Sequence, residues 1–155
     1  MHANVSTMVE LPRTPVGTLT FRLGVLGVTQ EARYAGRLAA LGLKPKHVIL
    51  LSALRMGGAE SQQELAAALG IAPSLVVLLA DQLAALGAIE RVRDPADRRR
   101  QRLHVTDEGD RLLDEATALA VTLDDERTAI LSADDRTALI RILEKLAAAD
   151  GLLDA

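Results

Sequence analysis

Apolar residues recur at helical intervals along most of this chain and alternate in only one stretch. From Thr18 to Leu41, the positions Leu19, Leu23, Leu26, Tyr34, Leu38 and Leu41 mark one face, with Gln30 filling the gap between Leu26 and Tyr34. That spacing predicts a long amphipathic helix. Gly24, Gly27 and Gly36 each weaken such a helix by roughly 1 kcal/mol relative to Ala. A helix that keeps them implies close approach by another backbone, or a locally thinned helix packed inside its own subunit. Pro45 at a first helical position starts a second helix, reaching Arg55 with Lys44 at its cap. Val48, Leu51 and Leu54, with Leu50 beside them, form its stripe, and Met56-Gly57-Gly58-Ala59 ends it.

Ser61 followed three residues later by Glu64 is a capping-box start for a short helix closing at Gly70. Leu65, Ala68 and Leu69 are its expected inward residues. Ile71-Ala72-Pro73-Ser74 then turns the chain into a helix that ends at Gly87. Val76, Leu79, Ala80, Leu83 and Leu86 share one stripe, so Ser74, Val77, Leu78, Asp81 and Ala85 point away. The single alternating stretch sets Leu103 and Val105 against Arg102 and His104, as in a half-buried strand. Paired with residues 88–93, it makes a hairpin around 94–100. A helix from Asp107 to about Ile130 carries Leu112, Leu113, Ala116, Leu119, Ala120 and Leu123. Ser132 followed by Asp135 starts a last helix striped by Leu139, Ile140, Leu143 and Leu146.

The order is mainly α: helix, turn, helix and a two-stranded β-wing between long terminal helices. Residues 1–17, with Pro12, Pro15 and Gly17, read as a flexible N-terminal arm, and 18–155 as one domain. A length of 155 residues suits one domain with a real core. With one Phe, one Tyr and no Trp, Leu and Ala must fill it.

A net charge of −3 means that any nucleic-acid contact comes from a local patch. The absence of Cys excludes disulfides, thiol switches and Cys-ligated metals. The longest apolar run, Leu75 to Ala80, is too short for a bilayer. The N-terminus has no signal-peptide pattern. The expected location is the cytoplasm, without a membrane partner.

In a helix-turn-helix the second helix enters the major groove of duplex DNA with its N-terminal residues against base edges. The candidate readers are Ser74, Val77 and Leu78, with Ser61, Gln62 and Gln63 at the start of the supporting helix. Between Arg91 and Arg102 the hairpin carries six Arg against Asp94 and Asp97. Arg98, Arg99, Arg100 and Arg102 are its candidate DNA contacts, and an Arg at such a tip can enter the minor groove. A solvated basic hairpin, or one that meets an acidic partner, is the plainer reading.

His2, His47 and His104 are scattered and show no metal-ligand spacing. No cofactor motif and no nucleophile with a partnered base is visible, so the expectation is a protein that is not an enzyme. Arg22, Tyr34, His47 and Arg55 are candidates for holding an anionic ligand. The alternative is surface charge, a core aromatic and a half-exposed helix histidine. Single-stranded nucleic acid needs aromatic platforms that this chain lacks.

From about residue 18 onward the chain resembles the MarR family of winged-helix transcription regulators. Carrying the likeness are Glu64-Leu65-Ala66, Leu79-Ala80-Asp81-Gln82-Leu83, Leu86-Gly87-Ala88-Ile89-Glu90-Arg91 and the wing run Asp94-Pro95-Ala96-Asp97-Arg98-Arg99. Leu103-His104-Val105-Thr106-Asp107-Glu108-Gly109 and Gly42-Leu43-Lys44-Pro45 add to it. The resemblance implies a homodimer formed by helices at about 18–42 and 107–148, with the winged helix-turn-helix at about 45–106. It implies that Asp97 orients the wing while Arg98 or Arg99 reaches the minor groove. It further implies a repressor that a small aromatic or phenolic effector releases from double-stranded DNA. The family usually has polar or basic residues where this chain has Val77 and Leu78, and Ser or Thr where it has Lys44. An aliphatic recognition face can meet thymine methyl groups. Alternatively, this MarR-like dimer has lost strong base readout and binds a protein partner there.

Overall fold

The computed structural model describes residues 14–57, 61–93 and 101–150. Six helices and one hairpin follow in order: α1 (Leu19–Leu38), α2 (Pro45–Arg55), α3 (Gln62–Ala68), α4 (Pro73–Ala85), β1 (Ile89–Arg93), β2 (Gln101–Val105), α5 (Asp107–Thr128) and α6 (Ala133–Ala149). A 3-10 turn at Pro15–Gly17 precedes α1, inside the segment expected to be a flexible arm, whose residues 1–13 lie outside the described residues. A second 3-10 turn, Ala39–Leu41, extends α1.

Local chemistry sets these boundaries. Thr18, Ser61, Thr106 and Ser132 each accept a backbone N–H three residues on, from Phe21, Glu64, Gly109 and Asp135. Each bond satisfies a donor that the first helical turn leaves free. Pro45 and Pro73 open α2 and α4, where a missing N–H costs nothing. Gly70, between α3 and α4, has φ +61°, a left-handed conformation that ends one helix and frees the chain to start the next.

The core joins the middle of the chain to the ends of α1 and α5. Leu38, Leu43, Leu50, Leu51, Leu65, Val76, Leu79, Ala80, Leu83, Ile89, Leu112 and Leu113 are buried together. In α3, Ala66 rather than Ala68 is buried beside Leu65. Leu86, expected on the buried stripe of α4, is 37% exposed at that helix's C-terminal end, where it lies against Gly42.

The wing is anchored to α5 by a close backbone approach. The Ala88 carbonyl accepts from Thr106 N–H at 3.1 Å, and the Gly87 carbonyl from Thr106 Oγ1 at 2.6 Å. A Cβ on Gly109 would sit 2.0 Å from the Ala88 oxygen, so only glycine fits the first turn of α5. β1 and β2 pair antiparallel from Ile89↔Val105 to Arg93↔Gln101.

The terminal helices are different. No residue of α6 is buried, although Leu139, Ile140, Leu143 and Leu146 form an apolar stripe that is 40–51% exposed. On α1, Leu19, Phe21, Leu23 and Leu26 are also exposed. A Cβ at Gly24, Gly27 or Gly36 would have nothing within 4 Å. The thinning of α1 is therefore not used inside the subunit.

Candidate nucleic-acid interface

α3 and α4 meet at 111°, within the range for a helix-turn-helix pair. Leu65 and Ala66 on α3 and Val76, Leu79, Ala80 and Leu83 on α4 face each other in the core. That packing fixes the outward face of α4. Ser74 is exposed there, with Val77 at 43% and Leu78 at 52%. Gln62 is half-buried and Gln63 exposed on the first turn of α3, after the cap Ser61. Arg102 is half-buried on β2. Asp97, Arg98, Arg99 and Arg100 fall outside the described residues.

Two contacts that hold α4 in place were not read from the sequence. Asp81, on the outward side, pairs with Arg91 of β1 at 2.5 Å, which links α4 to the wing strand and engages one of the six hairpin arginines. Gln82, half-buried, takes its amide oxygen to within 2.8 Å of His47 Nε2. The motif Asp81-Gln82 was visible, but its partners lie 10 and 35 residues away.

His47 is 2% exposed, not half-exposed. Its Nδ1 accepts the Lys44 backbone N–H at 3.2 Å, so Nε2 carries the proton and donates to Gln82. This is half of a capping box at the start of α2. Lys44 has no side-chain acceptor to supply the other half. Burial pushes the imidazole below its ordinary value, the Gln82 bond opposes that shift, and the Lys44 charge adds to it.

The four ligand candidates are not brought together. Tyr34 is half-buried, and its hydroxyl donates to the Ala116 carbonyl at 3.0 Å, tying α1 to α5. Burial raises its pKa. Arg55 pairs with Asp114 at 2.8 Å and lies 4.0 Å from Asp110. Arg22 sits 12 residues before Tyr34 on α1, about 18 Å away along a helix axis. Tyr34 does line a cavity of about 490 Å³ between α1, α2 and α5, with Gln30, Pro45, Val48, Ile49 and Leu123. Its charged lining residues are Glu31 and Asp124. Among the described residues, no His/Asp/Glu group is arranged to hold a metal ion, and no single helix is long and apolar enough to cross a membrane.

The sequence and the fold are similar to those of known proteins. The model of the MarR family matches residues 41–100. The chain is 31% identical over 108 residues to the HTH-type transcriptional repressor MdtR of Bacillus subtilis (strain 168), covering 70% of each protein. Its fold matches a transcriptional regulator from Rhodococcus sp. RHA1 with a TM-score of 0.75 at 23% identity, covering 88% of this chain and 96% of that one. The transcriptional repressor CouR, bound to a 23-mer DNA duplex, matches with a TM-score of 0.73 at 29% identity over 88% of this chain and 99% of its own. CouR from Rhodococcus jostii RHA1 is also known bound to p-coumaroyl-CoA, with a TM-score of 0.71 at 27% identity over 88% and 94%.

Proposed function

Since the chain belongs to the MarR family of winged-helix, DNA-binding transcriptional repressors, we propose that it reads a specific duplex site as a homodimer and leaves that site when a small effector binds. It is a regulator and not an enzyme. The observation that carries the reading is the exposed face of α4. Ser74, Val77 and Leu78 stand clear of the core on a helix whose opposite side is locked into it. Placed in the major groove, the two aliphatic side chains meet thymine methyl groups and Ser74 supplies a hydrogen bond. Ser61, Gln62 and Gln63 flank that groove from α3. Arg98, Arg99, Arg100 and Arg102 supply the phosphate and minor-groove contacts, with Asp97 orienting the loop.

Two surfaces support the dimer. The exposed stripes of α1 and α6 are apolar, and α1 presents glycines with open space before them. A second copy that covers both gains apolar burial and close backbone approach. The cavity at Tyr34 supports the effector. Its volume is in the range of small-molecule sites, and an aromatic body fits its apolar wall. A phenolic hydroxyl can donate to Glu31 or Asp124. The dimer region is residues 18–42 and 107–148, and the DNA-binding lobe residues 45–106.

A rival reading uses the same α4 face for a protein partner, because Val77 and Leu78 cannot form the bidentate hydrogen bonds of stronger base readers. A mobility-shift assay on DNA upstream of the chain's own gene separates the two. A discrete complex that survives excess non-specific duplex supports the DNA reading. Equal displacement by any duplex favours the rival.

A further inference from the structure

The cavity at Tyr34 carries charge of one sign. Val48 and Ile49 of α2 and Leu123 of α5 form its apolar wall with the half-buried Tyr34 ring of α1. Glu31 of α1 and Asp124 of α5 open onto the same space of about 490 Å³, and among the described residues no Lys, Arg or His lines it. Neither carboxylate has an ion pair or a side-chain hydrogen bond among those residues. The next two acids of α5 are both engaged, Asp125 with Arg136 at 2.7 Å and Glu126 with Arg37 at 3.0 Å. In the run Asp124-Asp125-Glu126, the acid that meets the cavity is the one left without a cation.

The cations of the adjoining clefts stand outside this wall. Lys44 and Lys46 share a cleft with Glu31 against α4, and Arg127 shares with Asp124 a groove that reaches α6. None of the three is paired with either acid. Arg55 is held by Asp114, and His47 is buried against Gln82. Hydrogen-bond donors are also few. The Tyr34 hydroxyl gives its proton to the Ala116 carbonyl, Pro45 has no N–H, and the Gln30 amide is the remaining side-chain donor of the lining. An anion entering here would exchange water for two like charges and one amide. A cation would find two acceptors without partners beside an aromatic ring, which itself attracts ammonium groups.

We propose that this cavity selects a cationic aromatic effector, an aryl-alkyl amine whose ring packs on Val48, Ile49 and Leu123 while its ammonium donates to Glu31 or Asp124. This rests on the reading of the cavity as the effector site. Both acids are exposed, so salt screens their attraction for the amine.

The test uses three probes with the same ring and arms of nearly equal length: 2-(1-naphthyl)ethylamine, 2-(1-naphthyl)ethanol and 1-naphthylacetate. Tyr34 is the one tyrosine of the chain, so ring-labelled tyrosine in the full-length protein reports on this cavity by NMR. Titrations run at neutral pH and low ionic strength. The amine should bind tightest and the carboxylate weakest, with at least about tenfold between their dissociation constants. The gap should narrow as salt is added. Glu31→Gln with Asp124→Asn keeps the side-chain shapes, removes both charges and should abolish the preference for the amine. Each substitution alone should narrow the gap, and the single variants carry the test should the pair fail to fold by circular dichroism. A carboxylate probe that binds as tightly as the amine would overturn the proposal, as would a preference that survives in the folded double variant. In either case, binding of the alcohol at the Tyr34 ring leaves the cavity an effector site for another class of ligand. If none of the three probes moves the Tyr34 signal, the reading of the cavity as an effector site fails, and the proposal with it.

Discussion

The Arg91 guanidinium on the wing strand donates to the Asp81 carboxylate on α4 across 2.5 Å, so α4 and the wing strand are joined by an ion pair. The two side chains are 31% and 55% exposed. At such exposure the pair adds at most about 1 kcal/mol to folding. Its other effect is geometric, because it ties α4 to β1 of the wing. Arg91→Ala, Asp81→Ala and the double variant should therefore weaken specific DNA binding to the same extent, without adding. A double-mutant cycle in anisotropy checks this. A loss with Arg91→Ala alone would make Arg91 a phosphate contact instead.

At the wing tip the expected contact is with phosphate and the minor groove. Arg98→Ala combined with Arg99→Ala should weaken binding to every duplex. It should also lower the slope of log affinity against log salt by about 0.9 for each phosphate contact removed. An unchanged slope would leave the wing off the DNA. A loss concentrated on A·T-rich sites would place an Arg in the minor groove.

The dimer prediction rests on α6. A 17-residue helix with an apolar stripe and no buried residue needs a partner surface. Sedimentation at micromolar concentration should give about twice 16.5 kDa. Leu139→Glu with Leu143→Glu should move the mass toward one chain and lower specific DNA affinity by more than about tenfold, since each half-site then binds alone. A wild-type monomer that still binds specifically would contradict the account.

Much of this architecture was legible in the sequence because it follows from local rules. Proline at a first helical position, Ser caps and the stripe Val76, Leu79, Ala80, Leu83 are short-range signals, and they place α2, α3, α4 and α6 within a few residues. Thr18 and Thr106 were equally local caps, but only the structure brought them out. Periodicity names a buried face without naming its partner, which is why His47 was misjudged. One histidine on an apolar helix looks half-exposed until Gln82, 35 residues away, is seen to meet it. Asp81 and Arg91 were likewise read separately, as an outward acid and a wing cation. In α3, a helix of seven residues, the period pointed to Ala68, and the tertiary packing buried Ala66 instead. The glycines of α1 signalled a close approach that the single subunit does not use.

The central claim, that the outward face of α4 reads duplex DNA, is tested most directly by Val77→Ser with Leu78→Ser. Both side chains are about half exposed, so thermal stability should stay within about 0.5 kcal/mol of the wild type. The quantity to measure is the ratio of specific to non-specific duplex affinity at fixed salt. The account predicts a ratio lowered by roughly 1–3 kcal/mol, with non-specific binding through the Arg-rich wing almost unchanged. A folded variant whose ratio equals the wild type's, and which loses a co-purifying protein instead, would contradict it.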